Sequence, residues 1–272
     1  MTQPATLPLT IEPIPALQDN YIWALIEPTH GQAILVDIGE AAPALEFLRA
    51  QALDLQAIWI THHHHDHIGG VAAVCQAYPD VPVLIHPAIA HLLPKSLNIV
   101  PVQAGSAVSA LGHPTSVWQI AGHTAEHIAF MVQIDGTKHV FCGDTLFAAG
   151  CGRVFSGTIE QLFDSFKRLN HLPADTVFYP AHEYTVSNLR FAQHIEPHNA
   201  DIAQALRHAN ALRAKQPPKP TLPTTLAAER LTNPFIRAVA DSAALAHAAR
   251  AQNLPIEPLA LFSRLRQLKN NF

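Results

Sequence analysis

One run of residues constrains this 272-residue chain more than any other: Thr61-His62-His63-His64-His65-Asp66-His67, followed directly by Ile68-Gly69-Gly70. The run is internal, is interrupted by an acid and ends at two glycines, so it differs from a terminal affinity tag. Adjacent imidazoles would repel one another if they were protonated in an exposed loop, whereas neutral imidazole is a common metal ligand. The run therefore predicts a metal site to which the fold must bring further ligands.

Within this run, the alternating residues His62 and His64 can converge on one metal ion. The adjacent pair Asp66 and His67 can hold a second ion. The run thus supplies part of the ligand set for each of two ions.

The composition describes a compact folded protein, with 49% hydrophobic and 14% charged residues. The length permits one large domain or two unequal ones. A net charge of -4 with neutral histidines, and no Lys/Arg stripe before the C-terminal tail, argue against a nucleic-acid partner. Cys75, Cys142 and Cys151 form no Cys-x-x-Cys pair, so they predict neither a disulfide framework nor a thiolate zinc site.

The location is predicted to be cytoplasmic, because sparse cysteines favour a reducing compartment and Met1 to Pro15 lacks the apolar segment of a signal peptide. No stretch approaches the roughly 20 apolar residues that cross a bilayer, so no membrane contact is expected. The sequence shows no clear exposed apolar stripe that would indicate a dimer interface, so we expect a monomer.

Short apolar, β-branched and aromatic runs predict strands, and apolar residues at helical spacing predict helices. The predicted strands are Tyr21–Ile26, Ala33–Val36, Ala57–Ile60, Val81–Ile85, Ser116–Ile120, Ile128–Val132, Lys138–Cys142 and Thr176–Tyr179. The predicted helices in the same region are Ala42–Ala52, Val71–Tyr78 and Ile159–Leu169. Strands mixed with helices in this order predict sheets covered by helices, an α/β fold.

The composition changes after the last predicted strand. Asn188–Arg213 is helical in pattern, Pro217–Pro220 breaks that pattern, and Thr225–Phe272 has helix signals with no convincing strand. We therefore predict an α/β domain at residues 1–184 and a small helical domain at residues 185–272.

Polar residues directly follow four predicted strands, at the strand ends where α/β sites form. Besides the histidine run, they lie in the segments Gly-His-Thr, Gly-Asp-Thr and Pro-Ala-His-Glu. If these strands lie side by side, their ends gather seven potential metal ligands at one sheet edge. The seven are His62, His64, Asp66, His67, His123, Asp144 and His182.

Five imidazoles and two carboxylates are enough for two metal ions, and Asp144 has an oxygen for each, so it could bridge them. Nitrogen and oxygen ligands favour zinc, while iron and manganese stay open. Two ions about 3.5–4 Å apart lower the pKa of a shared water, so hydrolysis is the predicted chemistry. The predicted ligand sets are His62, His64 and His123 for one ion, and Asp66, His67 and His182 for the other.

Four further residues have supporting or structural interpretations. Asp37, which follows a predicted strand, could orient a ligating imidazole or cap a turn. His63 and His65 alternate with the proposed ligands and should point away from the metals. His127, at the start of a strand, is predicted to be structural.

The combination Thr-His-x-His-x-Asp-His, Gly-His-Thr, Gly-Asp-Thr and a late histidine resembles the metallo-β-lactamase superfamily. Over the whole chain the sequence is similar to its glyoxalase II, or hydroxyacylglutathione hydrolase, family. The resemblance implies an αβ/βα sandwich of two mixed β-sheets flanked by helices, with a small C-terminal all-α domain. The stretches that carry it are Asp19–Trp23, Gly143–Phe147, Gly150–Arg153, His182–Thr185, Asn233–Phe235 and Arg266–Phe272.

That family hydrolyses S-D-lactoylglutathione to D-lactate and glutathione, which completes methylglyoxal detoxification. The resemblance implies that a metal-bridging hydroxide, held by Asp66 and Asp144, attacks the thioester carbonyl. One metal would polarise the carbonyl oxygen and the other would stabilise the leaving thiolate.

The resemblance also implies contacts to glutathione. Arg153 would present a basic group, Tyr184 a hydrogen bond, and Arg266 and Lys269 on a final helix would hold the glycine carboxylate. Without the resemblance, Arg266 and Lys269 would be interpreted as a solvated basic helix end.

Two residues depart from the family pattern. Phe155 stands at a substrate-binding position where many members have a tyrosine, so we expect one fewer hydrogen bond to glutathione. Glu126 replaces a glycine usual in its loop and adds negative charge near the site. Neither change removes a predicted metal ligand.

Other activities on the same scaffold stay open at this point. A β-lactamase would be expected to carry an export signal and a nuclease a basic surface, and neither is visible. A persulfide dioxygenase, closer than these, uses a single iron and does not need Asp66, His67 and His182; another thioesterase is a further alternative. A non-catalytic member would be expected to have lost ligands, whereas all seven residues are present.

Overall fold

A computed structural model describes residues 8–272. The chain divides into two compact units. The first unit comprises the chain up to Gln119 together with Ile128–Phe141, and the second comprises Ile120–His127 and Cys142–Phe272. The boundary predicted between residues 184 and 185 stays a prediction.

The described part contains strands and helices throughout its length. The strands are β1 (Thr10–Ala16), β2 (Asn20–Glu27), β3 (Gln32–Val36), β4 (Asp54–Trp59), β5 (Val83–Ile85), β6 (Ile99–Pro101), β7 (Ala107–Ala110), β8 (His113–Gln119), β9 (Ile128–Ile134), β10 (Thr137–Gly143), β11 (Leu146–Phe147), β12 (Gly150–Cys151), β13 (Val177–Pro180) and β14 (Thr224–Thr225). The helices are α1 (Ala41–Ala50), α2 (His65–Ile68), α3 (Val71–Ala77), α4 (Ile159–Asn170), α5 (Thr185–Ile195), α6 (Ala200–Arg213), α7 (Leu226–Thr232), α8 (Pro234–Val239), α9 (Ala243–Ala251) and α10 (Pro258–Asn270), with a 3-10 helix at Pro87–Leu92.

The first sheet has the order β1-β2-β3-β4-β5-β6. β1 to β3 pair antiparallel, whereas β3 to β6 pair parallel. β3 and β5 are almost continuously buried and apolar, as strands covered on both faces are. Ile22, Leu35 and Ile58 of this sheet belong to one core with Leu48 of α1 and Val74 of α3.

The second sheet has the order β14-β13-β10-β9-β8-β7, in which β7 to β10 form an antiparallel meander. Within the first unit, the indole of Trp59 stacks on Phe130 of β9 with ring centroids 4.5 Å apart. β11 and β12 form a separate two-stranded hairpin directly after Asp144.

Aromatic side chains hold the helices of the second unit together. Phe166 of α4, Phe235 of α8 and Phe262 of α10 are fully buried, with ring centroids 5.2–6.4 Å apart. α4 begins with a capping box, in which Thr158 accepts from the amide of Gln161 and the Gln161 side chain accepts from the Thr158 amide.

The eight predicted strands are confirmed within a few residues. Asn188–Arg213 is helical as predicted, in two pieces: α5 ends at Ile195, and Asn199 then caps α6 by accepting from the amides of Asp201 and Ile202. One prediction was wrong: the C-terminal part is not free of strand, because β14 pairs with β13.

Short or proline-containing strands escaped the sequence analysis. β1 contains Pro13 and Pro15, which an edge strand tolerates because one side of it needs no partner. β6, β7 and the β11–β12 hairpin are too short to show a period.

No helix within residues 8–272 is long and apolar enough to cross a membrane.

Candidate metal centre

The end of β4 fixes the first half of the histidine run. Asp37 accepts hydrogen bonds from the amide and the hydroxyl of Thr61, at 2.8 and 2.7 Å. The Thr61 hydroxyl lies 3.1 Å from Nδ1 of buried His62, whose Nε2 lies 3.0 Å from Nδ1 of His64. The two alternating histidines therefore converge, as predicted from their spacing.

The second half of the run forms the short helix α2. Nδ1 of fully buried His67 lies 3.0 Å from the same Asp37 carboxylate, and its Nε2 lies 3.6 Å from Oδ2 of Asp66. Nδ2 of Asn20 donates to that Asp66 oxygen at 3.1 Å. Asp37 thus orients a predicted ligand, which was one of its two interpretations.

Asp144 follows β10 and presents its two oxygens to two different histidines. Oδ2 lies 3.4 Å from Nε2 of His123, and Oδ1 lies 3.3 Å from Nε2 of His182. Nδ1 of His123 lies 2.8 Å from the carbonyl of Arg153, and the Asp144 amide donates to Nε2 of buried His127. The carboxylate is held by its backbone and faces a histidine on each side.

Two groups of side chains are each arranged to hold a metal ion. In each group, one potential ligand atom per residue lies within 4.8 Å of all the others. The groups are His62, His64, His123 and Asp144, and Asp66, His67 and His182.

The donor chemistry of these groups fits metal ions. Nδ1 of His123 lies 2.8 Å from a backbone carbonyl, so the neutral ring donates there and presents a lone pair at Nε2. That Nε2 lies 3.4 Å from an oxygen of Asp144, which is also an acceptor, and Nε2 of His67 lies 3.6 Å from an oxygen of Asp66. Facing acceptors in a buried site are stabilised by a cation between them.

Two glycines allow the backbone to approach the ligands closely. A Cβ on Gly39 would lie 2.1 Å from the carbonyl oxygen of Asp66, and one on Gly152 would lie 1.9 Å from that of Asp144. Any side chain at either position would displace a carboxylate of the candidate metal centre.

Three of the residues predicted to contact substrate, Arg153, Phe155 and Tyr184, lie on exposed or half-buried surface near the ligands. Arg153 is exposed, and Phe155 is 63% exposed with its ring edge-to-face to His123 at 5.2 Å. The half-buried Tyr184 ring stacks on His182, with centroids 4.7 Å apart. Both aromatic rings thus line the surface next to a predicted metal ligand.

Arg266 and Lys269 of α10 are less exposed than a solvated helix end would be. Arg266 is 6% exposed, and its Nη1 donates to the carbonyl of Cys151 at 2.6 Å. Nζ of Lys269 donates to Oγ of Ser187 at 2.9 Å. Burial, together with the positive charges of Arg266 and Arg153, lowers the pKa of Lys269 to about 8. The three cations therefore form one electropositive cluster.

Three residues with contacts that are distant in sequence were missed or only partly interpreted from the sequence. Asn20 was noted only as part of a family stretch, and its contact to Asp66 spans 46 residues of chain. His127 was predicted to be structural, and its ring accepts from the Asp144 amide. Glu229 was not noted and binds the backbone 80 residues away, at Ala149. None of these contacts leaves a local pattern in the sequence.

Two family models match this chain. Residues 22–182 match the metallo-beta-lactamase superfamily, and residues 183–272 match the hydroxyacylglutathione hydrolase C-terminus. A hydroxyacylglutathione hydrolase of Neisseria meningitidis is 45% identical over 97% of this chain and 100% of its own length. The chain belongs to the hydroxyacylglutathione hydrolase family. The predicted resemblance is thereby confirmed.

A second hydroxyacylglutathione hydrolase, from Edwardsiella ictaluri, is 43% identical over 95% of this chain and 98% of its own length. Solved structures confirm the metallo-β-lactamase fold. ETHE1 from Myxococcus xanthus matches with a TM-score of 0.61 at 22% identity, covering 97% of this chain and 98% of that one. TTHA1623 in a di-iron-bound form matches with a TM-score of 0.55 at 28% identity, covering 84% and 99%. This hydroxyacylglutathione hydrolase family member is a metal-dependent hydrolase that binds divalent metal.

Proposed function

We propose that this protein hydrolyses S-D-lactoylglutathione to D-lactate and glutathione, using two divalent metal ions, with zinc favoured over iron and manganese. The full-length similarity to proteins named hydroxyacylglutathione hydrolase supports the substrate. The di-iron-bound form of a structural relative at 28% identity supports a pair of ions.

The two groups of side chains would hold one ion each, and Asp144 would contribute to both. The single observation that carries this assignment is that the two oxygens of Asp144 face Nε2 atoms of different histidines, His123 and His182, at 3.4 and 3.3 Å. When bound, divalent ions supply Lewis acidity and lower the pKa of water toward neutrality. The complete proposed set is His62, His64, His123 and Asp144 for one ion, and Asp66, His67, His182 and Asp144 for the other.

The protein's own groups orient the ligands. The Arg153 carbonyl accepts from Nδ1 of His123, and the Asp37 carboxylate, 3.0 Å from Nδ1 of His67, would orient that ring. Asn20 holds the Asp66 oxygen that faces His67. Imidazoles fixed in this way lose little entropy when they bind metal.

The electropositive cluster of Arg153, Arg266 and Lys269 is suited to the carboxylates of a glutathione thioester. Arg266 is bound to the hairpin backbone, so Lys269 and the exposed Arg153 are the groups best placed to meet substrate. Tyr184 would donate a hydrogen bond to the peptide part of glutathione. Phe155 offers only an apolar face where a hydroxyl would add a hydrogen bond.

Thioester hydrolysis adds one water across the C–S bond and yields an acid and a thiol. The direct test compares zinc-loaded protein on S-D-lactoylglutathione, a β-lactam and a phosphodiester, and iron-loaded protein on a glutathione persulfide. We expect turnover only of the thioester. Inactivity on the thioester despite full metal loading would overturn the proposal, and oxygen-dependent turnover of the persulfide would favour a dioxygenase instead.

A further inference from the structure

Glu229 of α7 is a buried carboxylate, 1% exposed, that lies outside both groups of proposed ligands. Its Oε2 accepts from the amide of Ala149 at 2.9 Å and from Nδ2 of Asn233 at 2.7 Å. Its Oε1 accepts from the hydroxyl of Thr224 at 2.7 Å. Because a buried carboxylate is costly unless it is hydrogen-bonded, these three contacts must form whenever the protein folds.

Glu229 and Asn233 together form hydrogen bonds to the backbone of the β11–β12 hairpin. Nδ2 of Asn233 also lies 2.9 Å from the carbonyl of Gly150 and 3.3 Å from that of Phe147. Ala149 has a φ of +56°, a backbone conformation that non-glycine residues rarely adopt. The bond from its amide to Glu229 compensates for that strain at the tip of the hairpin.

The same hairpin is linked to two of the proposed metal ligands. Asp144 lies two residues before it, and the amide of Gly152 at its end donates to the carbonyl of Thr145 at 3.0 Å. The next residue, Arg153, accepts from Nδ1 of His123. Movement of the hairpin would therefore shift the backbone of Asp144 and the carbonyl that orients His123 at the same time.

We propose that Glu229 is a positioning residue for the metal centre: its hydrogen bond to Ala149 fixes the hairpin so that Asp144 and His123 stay arranged for metal binding. This inference rests on the proposed assignment of Asp144 and His123 as ligands. The property required of the side chain is an acceptor oxygen facing Ala149. Glutamine keeps that oxygen, and its amide nitrogen can donate to Thr224, whose hydroxyl can turn to accept.

The test measures the dissociation constant for Co²⁺ by visible absorption in the full-length metal-free protein. Glu229→Leu removes the acceptor at similar volume, and we expect it to raise the dissociation constant about tenfold or more. Glu229→Gln should stay within about threefold of the unaltered protein. Unchanged affinity in Glu229→Leu would overturn the proposal, and so would Glu229→Gln as impaired as Glu229→Leu.

Thr224→Val is the matched control, because it removes a partly buried hydrogen bond to Glu229 on the side away from the hairpin. We expect unchanged Co²⁺ affinity, whereas a loss equal to that of Glu229→Leu would overturn the proposal. If Glu229→Leu does not fold, Glu229→Asp withdraws the carboxylate by one methylene and should weaken Co²⁺ binding at least about threefold; unchanged affinity would again overturn it. An unaltered protein that binds no Co²⁺ would instead overturn the ligand assignment itself.

Discussion

At the scale of single residues, the metal centre depends on side chains that are not themselves ligands. Asp37 has a φ of +58° and is 5% exposed, yet its two oxygens accept from the backbone and hydroxyl of Thr61 and lie beside His67. A non-glycine residue held in this conformation is strained, and its hydrogen bonds offset the strain. One carboxylate therefore fixes both halves of the histidine run.

Asp37→Asn should weaken metal binding by about 10–100-fold. If the side-chain oxygen of the variant still accepts from the backbone amide of Thr61, its NH₂ group faces Nδ1 of His67. A donor there favours the tautomer with the proton on Nε2, and this removes the lone pair that would bind metal. Isothermal titration with Zn²⁺ measures the effect. The control is Asp54→Asn, which alters an exposed carboxylate that is hydrogen-bonded to nearby Gln56, and it should bind Zn²⁺ as tightly as the unaltered protein. Equal Zn²⁺ affinity in the two variants would contradict the role of Asp37.

Asp144→Asn should reduce both metal content and turnover, because an amide has one acceptor oxygen where the site presents two. We expect fewer bound ions per chain and a fall in kcat of at least about 100-fold. Metal analysis and thioester hydrolysis on one preparation check the result. Full metal content with normal turnover would show that Asp144 does not bridge.

Glu229 makes stability depend on pH. Burial raises its pKa to about 7, against the lowering effect of its three donors. The folded protein then keeps a proton that the unfolded chain loses near pH 4.5, so ionisation favours the unfolded chain and stability falls as pH rises from about 4.5 to 7. Glu229→Gln removes this dependence.

We therefore expect the free energy of unfolding of the metal-free protein, relative to that of Glu229→Gln, to fall by on the order of 1–3 kcal/mol between pH 5 and 8. Urea unfolding of both proteins at each pH measures the difference and cancels the other titrating groups. A difference that does not change with pH would contradict the raised pKa of Glu229.

At the scale of elements, sequence reasoning worked where a pattern is local. Buried strands such as β3 are recognised as apolar runs, and the alternating spacing of the histidines predicts that His62 and His64 lie close together. It failed where distant residues complete the structure. The β11–β12 hairpin is two residues per strand and is held by Asn233 from more than 80 positions away, so no period or local motif predicts it.

The cap of α4 tests an element that supports the second unit without touching a ligand. Thr158→Ala removes the side-chain acceptor for the Gln161 amide, and we expect a loss of about 1 kcal/mol in the free energy of unfolding. Zn²⁺ affinity should not change. Thr158→Ser keeps the hydroxyl and should stay within a few tenths of a kcal/mol of the unaltered protein; an equal loss in both variants would show that the cap is not the cause.

At the scale of the whole molecule, the sequence predicted the family, the fold class and the kind of chemistry, because these rest on residues spread over the full chain. The electropositive cluster was predicted only in part. All three of its members were recognised through the resemblance, but the burial of Arg266 and its bond to Cys151 depend on the packing of α10, which the sequence does not reveal.

Lys269 should make substrate affinity depend on pH. Its pKa is lowered to about 8, so the ammonium loses its proton between pH 7 and 9 and can no longer attract a carboxylate. We expect KM for S-D-lactoylglutathione to rise about threefold or more from pH 7 to 9.5, with a smaller change in kcat. Lys269→Arg stays charged throughout and should abolish the rise; a rise that persists in this variant would assign it to another group.

The most direct test of the central claim is a metal titration of the metal-free protein, in which the rate of S-D-lactoylglutathione hydrolysis is followed against the number of Zn²⁺ ions bound per chain. If the two groups that share Asp144 hold one ion each, the activity should reach its plateau at two Zn²⁺ ions per chain. A plateau at one ion, or no hydrolysis with two ions bound, would contradict the account.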